Sequence, residues 1–313
     1  MFDAFQNQTD AQRTYREIML LEELGEHENI IRLHNVIKAE NDKDIYLVFE
    51  YMDTDLHAAI HAGILEDIHR RYVIFQVLAC LKYMHTGQVI HRDLKPSNVL
   101  LNVECKVKVA DFGLARSMKS IVKESNPILT DYVATRWYRA PEILLGSKKY
   151  TKAIDMWSVG CILGEMFLGK ALFQGSSTLN QLDKILELTG IPKLEDIEAI
   201  QSPLAMSMLG SLPPTKSKQL TSVFSMASED ALDLIKGLLQ MNPYKRLTVE
   251  KALEHPYVRV FHNLKDEPSR MKEIDIELDD YTKYTPQKYR EELYLHIKKR
   301  KKEKKALEAS KPT

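Results

Sequence analysis

The stretch Val89-Ile90-His91-Arg92-Asp93-Leu94-Lys95-Pro96-Ser97-Asn98 decides how this chain is read. A β-branched pair leads into a run that sets a histidine, an arginine and an aspartate side by side. A lysine stands two positions after the aspartate and an asparagine five after it. Eighteen residues beyond Asp93 begins Asp111-Phe112-Gly113, and thirty-one beyond Asp111 lies Glu142, which closes Ala140-Pro141-Glu142. A lone H-R-D is a weak signal, but three motifs in order at such spacing are a strong one. Before the stretch, residues 66–86 predict an amphipathic helix with Tyr72, Phe75, Leu78, Ala79 and Tyr83 at helical spacing, ended by Gly87. After it, residues 99–101 and 107–109 predict two short strands about a turn at 102–106.

Bulk properties exclude several classes. The 313 residues suffice for a large core in one or two domains. A formal net charge of +0 gives no global field towards nucleic acid or membrane. The composition, 44% hydrophobic and 28% charged, is that of an ordinary soluble protein. Cys80, Cys105 and Cys161 show neither paired nor metal-ligand spacing, so reduced thiols are expected. Residues 1–12 carry Asp3 and Asp10 and no apolar run, so no secretory leader is expected. Residues 156–169 are too short, and broken by Glu165, to span a bilayer. The expected compartment is cytoplasm, nucleus or both.

Outward from the central stretch, residues 10–26 predict a helix with Tyr15, Ile18, Met19, Leu21 and Leu24 on one face and Gly25 at its end. Residues 30–39 and 44–52 predict a strand hairpin about the turn 40–43. Residues 150–169 predict a central hydrophobic helix, and 176–189, 228–241 and 286–297 further helices. Residues 298–305 hold seven basic residues and Glu303. They read as a nuclear-import signal or as the solvated end of a helix. Without aromatic interleaving, nucleic-acid binding is not expected.

H-R-D-L-K-P-S-N, D-F-G and A-P-E together resemble the catalytic loop, the metal-binding motif and the end of the activation segment of protein kinases. The resemblance implies that Asp93 accepts the proton of an attacking hydroxyl and that Lys95 neutralises the transferred phosphoryl group. It implies that Asn98 and Asp111 hold Mg²⁺, and that Glu17, in R-E-I, pairs with an ATP-binding lysine. Phe49 then gates the nucleotide pocket, the backbone about Glu50 and Met52 meets the adenine edge, Asp55 reaches the ribose, and Leu100 lies under the base. Asp155 would hold the catalytic-loop backbone, and Glu142 would pair with Arg246.

Thr130-Asp131-Tyr132, just ahead of V-A-T-R-W-Y-R-A-P-E, resembles the dual phosphorylation site of the MAP kinases. Arg16, Arg92 and Arg116 are the implied partners of phosphothreonine, and Arg136 and Arg139 those of phosphotyrosine. Residues 191–225 match the insert of that family. D-I-E-L-D-D, residues 275–280, resembles its docking segment, with Asp279 and Asp280 receiving basic peptides. The wording of residues 2–18 and 39–56 is most similar to the atypical, ERK-like branch (the MAP kinase 15 branch), with Asp131 where that branch has glutamate.

The resulting expectation is an α+β, two-lobe, protein-kinase-like fold with an incomplete N-lobe. Residues 1–52 form the partial N-lobe and 53–262 the C-lobe. Residues 263–297 form a C-terminal extension, and 298–313 a basic tail. The implied cofactors are ATP and Mg²⁺, and the implied partners protein substrates with Ser/Thr-Pro sites and basic docking peptides. One departure stands out. No glycine-rich loop and no V-A-I-K strand occur, since the first glycine is Gly25 and the first lysine Lys38. Counting back from Glu17, the family's ATP lysine would fall just ahead of Met1. The expectation is therefore a fragment of an active kinase with impaired transfer and with apolar surface bared on the hairpin and the 10–26 helix. The alternative is a non-catalytic docking module.

Overall fold

The computed structural model describes residues 1–123, 135–278 and 280–309. The chain opens with α1 (Gln8–Leu24), β1 (Leu33–Lys38) and β2 (Ile45–Phe49), then runs through β3 (Thr54–Asp55) into a helical body. That body begins with α2 (Leu56–His61) and α3 (Asp67–Thr86). Four short strands follow, β4 (Val89–Ile90), β5 (Val99–Leu101), β6 (Val107–Val109) and β7 (Arg116–Ser117), then α4 (Met118–Lys123). Next come α5 (Pro141–Leu144), α6 (Ala153–Leu168), α7 (Thr178–Thr189), α8 (Leu194–Ala199), α9 (Ala205–Gly210) and α10 (Leu220–Val223). The order closes with α11 (Glu229–Leu238), α12 (Val249–Leu253) and α13 (Pro286–Ala309). Small antiparallel sheets over a mainly helical body are the expected α+β, two-lobe arrangement.

α1 starts two residues earlier than its apolar period predicts because Asn7 caps it. The Asn7 Oδ1 accepts the Asp10 amide at 2.9 Å, and its Nδ2 donates to the Asp10 carboxylate at 2.7 Å. β1 and β2 pair antiparallel, with a register shift between Leu33 and Asn35. A buried amide pair fastens this small layer to the body. Asn29 Nδ2 donates to Gln76 Oε1 at 3.2 Å and to Val107 O at 3.0 Å. Gln76, on α3, accepts the Val107 amide and donates to Cys105 O, each at 2.9 Å. Ile31 and Asn29 complete the join through backbone bonds to Val109. Replacing either amide with an apolar residue would strand several buried polar groups at once.

The body is built around α6, whose Trp157, Val159, Ile162 and Leu163 are fully buried. Gly160 lets α11 close on it: a Cβ there would stand 2.8 Å from Leu239 Cδ2. At the other end α13 lies along α1, with Tyr289, Leu293 and Ile297 buried and the rings of Tyr15 and Tyr289 5.7 Å apart. The expected baring of α1 is therefore not found, because α13 covers it. The hairpin is as open as expected, with Ile37, Tyr46 and Val48 at 41%, 55% and 40% exposure. α13 also runs past the predicted end at 297 to Ala309, since residues 298–309 hold neither Gly nor Pro and are Lys, Glu and Ala-rich. Among the described residues no helix is long and apolar enough to cross a membrane.

Glu142 and Arg246 meet as the sequence implies. Arg246 Nη1 and Nη2 lie 2.9 and 3.0 Å from the two carboxylate oxygens, both side chains buried, and Nη1 also donates to Ala153 O at 2.6 Å. Arg246→Ala leaves a buried carboxylate and several carbonyls without donors. We expect a loss of about 3–5 kcal/mol in urea unfolding with the denaturant slope unchanged.

Candidate active site

β4 delivers the chain into the loop and pairs with β7, Val89 opposite Ser117 and Ile90 opposite Arg116. Between them the backbone is held from below. Asp155, at the start of α6 and fully buried, accepts the amide of His91 at 2.9 Å, the amide of Arg92 at 2.8 Å and the His85 ring at 2.9 Å. Burial alone would raise its carboxyl, but His85, His91 and the Arg92 amide hold it below the usual range. These bonds keep Arg92 at φ +70°, a left-handed conformation an arginine adopts only under constraint. Asp93 follows directly, so its direction is set by that constraint.

Lys95 Nζ lies 2.7 Å from Asp93 Oδ2. Asn98, in the short 3-10 turn Pro96–Asn98, donates its amide to Asp93 O at 2.9 Å and stands 3.4 Å from Asp111 Oδ2. Asp111, at φ +63°, presents an exposed carboxylate, while Phe112 is fully buried against the His91 ring at 5.2 Å. His91 Nε2 bonds Ala110 O at 3.0 Å. The four residues singled out by spacing thus converge: two carboxylates, an ammonium and an amide across two adjoining loops. Among the described residues no cluster of three or more His, Cys, Asp or Glu could hold a metal. An Asn–Asp pair supplies two oxygen-bearing side chains, a donor set that suits a hard divalent cation.

The residues assigned to the nucleotide are placed less uniformly. Phe49, Met52 and Leu100 are half-buried against the core. Glu50 accepts the Arg32 amide at 2.7 Å and pairs with Lys108 at 3.0 Å, so its carboxylate is occupied. Asp55 caps α2 by accepting the Ala58 amide at 2.9 Å. Glu17, half-buried on α1, has no lysine partner among the described contacts. Burial and the nearby Asp111 push its carboxyl up to about 7, against the pull of Arg13.

Thr130, Tyr132 and Asp279 lie outside the described residues. Arg136 donates to Ser176 O at 3.3 Å, and Arg139 ends the 3-10 turn Arg136–Tyr138. Arg16 and Arg116 do converge, but on Asp280. Arg16 Nε lies 2.6 Å from Asp280 Oδ1 and Arg116 Nε 3.4 Å from Oδ2. Asp280 was expected to meet basic peptides; its side chain is 4% exposed and turned inward, which removes it from that role. The alternation of D-I-E-L-D-D could not show which acids face the interior. His85 and Gln76 are not legible in the sequence, for a lone His or Gln on an apolar helix carries no signal of a distant partner.

A protein kinase domain family matches residues 3–258. The chain belongs to the protein kinase family. Within it the relatives are mitogen-activated kinases. Over 305 residues the chain is 63% identical to Extracellular signal-regulated kinase 2 of Dictyostelium discoideum, covering 97% of this chain and 83% of that protein. It is 54% identical over 304 residues to Mitogen-activated protein kinase 15 of Xenopus laevis, and 46% over 301 to Extracellular signal-regulated kinase 7 of Drosophila melanogaster. Those alignments cover 96% and 94% of this chain but only 52% and 33% of the relatives. The chain is thus of the serine/threonine kinase class, in its MAP kinase 15 branch.

The state of Glu17 gives a pH test. Its folded-state carboxyl lies at about 7, above the ordinary 4.5, so ionisation between those values works against folding. The group's full contribution is present below 4.5 and is lost as pH rises through 7. Glu17→Gln should therefore stabilise this chain by roughly 2 kcal/mol at pH 8 and by almost nothing at pH 4. Urea unfolding at the two pH values checks it.

Proposed function

We propose that the chain carries the phosphoryl-transfer chemistry of its family, passing the γ-phosphoryl group of ATP to Ser or Thr hydroxyls followed by proline in protein substrates. The observation that supports this most is the convergence of Asp93, Lys95, Asn98 and Asp111. Asp93 accepts the proton of the attacking hydroxyl, and Lys95, already 2.7 Å from it, carries positive charge to the transferred group. The bond from Asn98 to the Asp93 carbonyl fixes both side chains relative to each other. Asn98 and Asp111 would hold Mg²⁺, which when bound neutralises charge on the phosphates. Phe49, Met52 and Leu100 line the base, with the backbone at Glu50 and the Asp55 side chain at the polar edge.

Phosphorylation of Thr130 and Tyr132 is the activating event in this reading, with Arg16, Arg92 and Arg116 serving the first and Arg136 and Arg139 the second. Basic docking peptides are left to Asp279. The Glu17 carboxyl, which burial and Asp111 push up to about 7, supports a second reading, a docking module that binds partners without transferring phosphate. A thermal shift with Mg·ATP separates the two, being expected for the kinase and absent for the module.

For the kinase reading, Asp93→Asn should lower kcat on a Ser-Pro peptide about 100-fold or more while leaving the peptide KM near the parent value. A variant that turns over at the parent rate would contradict it.

A further inference from the structure

Between α1, the stretch after Asp111 and the segment ahead of α13 lies a buried ionic node that none of the assigned roles explains. Arg16 reaches two ways from α1, with Nε 2.6 Å from Asp280 Oδ1 and Nη1 donating to Gly113 O at 3.2 Å. Arg116 approaches the other carboxylate oxygen, and Arg92 donates to Leu114 O at 2.9 Å; burial pushes the Asp280 carboxyl up to about 6, and the charges of Arg116 and Arg92 oppose that rise. The backbone is fastened as well, since Gln12 Nε2 donates to Asp280 O at 2.9 Å. Lys119 at the start of α4 pairs with Asp275 at 2.5 Å, and Arg270 pairs with Glu23 on α1. The same segment therefore grips α1 and the residues after Gly113 at once. Removing one partner of so buried a pair leaves the other charge uncompensated, and the segments it joined lose their common anchor.

We propose that Asp280 is a built-in counter-anion for the Arg16, Arg92 and Arg116 cluster, a positioning residue that sets α1 against the Gly113–Arg116 stretch without a phosphate. Because Glu17 follows Arg16 and Asp111 precedes Gly113 by two residues, the node fixes both carboxylates of the nucleotide side. The geometric part stands on the contacts alone. Its consequence for rate rests on the proposed kinase activity.

The test is hydrogen exchange on the full 313-residue chain, comparing parent, Asp280→Asn and Asp280→Glu. Asn keeps the shape and removes the charge, whereas Glu keeps the charge. The proposal expects amides in residues 12–20 and 113–118 to exchange at least roughly tenfold faster in Asp280→Asn, with α6 unchanged. Asp280→Glu should stay near the parent. If Asp280→Asn fails to fold, a folded Asp280→Glu with parent-like protection still supports a charge role. Unchanged exchange in Asp280→Asn, equal loosening of α6, equal loosening in Asp280→Glu, or failure of both to fold would each overturn it. Kinetics separates the two readings: Asp280→Asn should lower kcat and leave the peptide KM unmoved. A loss in Asp93→Asn but none in Asp280→Asn would keep the kinase and remove the rate consequence. No loss in Asp93→Asn would remove the kinase reading and leave the exchange result to decide.

Discussion

The Asp155 carboxylate is the constraint on which the rest of the site depends. It is fully buried, and both its oxygens hold the loop that starts at His91: Oδ2 accepts the His91 amide together with the His85 ring of α3, and Oδ1 accepts the Arg92 amide. A buried charge is tolerable only when so fully bonded, and here the bonds do more than satisfy it. They hold Arg92 in a conformation it would not choose, and the direction of Asp93 follows. α6 is the most buried helix of the body, so the Asp93 carboxylate hangs from a closely packed part of the fold. Preorganisation of this kind is what phosphoryl transfer demands, since little covalent work falls to the protein.

A second anchoring system works from the other side. α13 lies on α1, the segment before it reaches Arg16 and Arg116 through Asp280, and Glu22 of α1 pairs with His296 and Arg300. The neighbours of Glu17 and Asp111 in sequence, Arg16 and Gly113, are thereby tied to an element more than a hundred and fifty residues further along the chain. The catalytic loop is fixed from α6, and its opposing wall from the C-terminal extension. Apolar contact supplies much of the adhesion there, with Tyr15, Tyr289, Leu293 and Ile297 buried together with α1.

Local chemistry was legible in the sequence to the extent that it is local. The strands 99–101 and 107–109 and the helix ending at Thr86 are set by β-branched runs, apolar periodicity and turn residues, and the structure places them at those bounds. The helix at residue 8 was misplaced by two because an Asn–Asp cap, not the apolar period, decides its start. Asp93, Lys95 and Asn98 lie within six positions, so their meeting needed only one loop. Partnerships across the chain were readable only where family motifs mark them, as for Asp155 with the catalytic loop and Glu142 with Arg246. Asp280 shows the limit. An acid in an acidic run reads as a solvated face, and nothing near it announces that Arg16 and Arg116 draw it inward. The covering of α1 by α13 was missed for the same reason, since amphipathic faces do not name their partners.

The most direct measurement is the backbone of Arg92 in a crystal structure of Asp155→Asn. One amide oxygen replaces two carboxylate oxygens, so the three donors now served cannot all be kept. Arg92 is expected to leave the left-handed region, and Asp93 O to separate from the Asn98 amide. If φ stays near the present +70° and the Asn98–Asp93 distance near 2.9 Å, the loop holds itself, and Asp155 is not the constraint assigned to it.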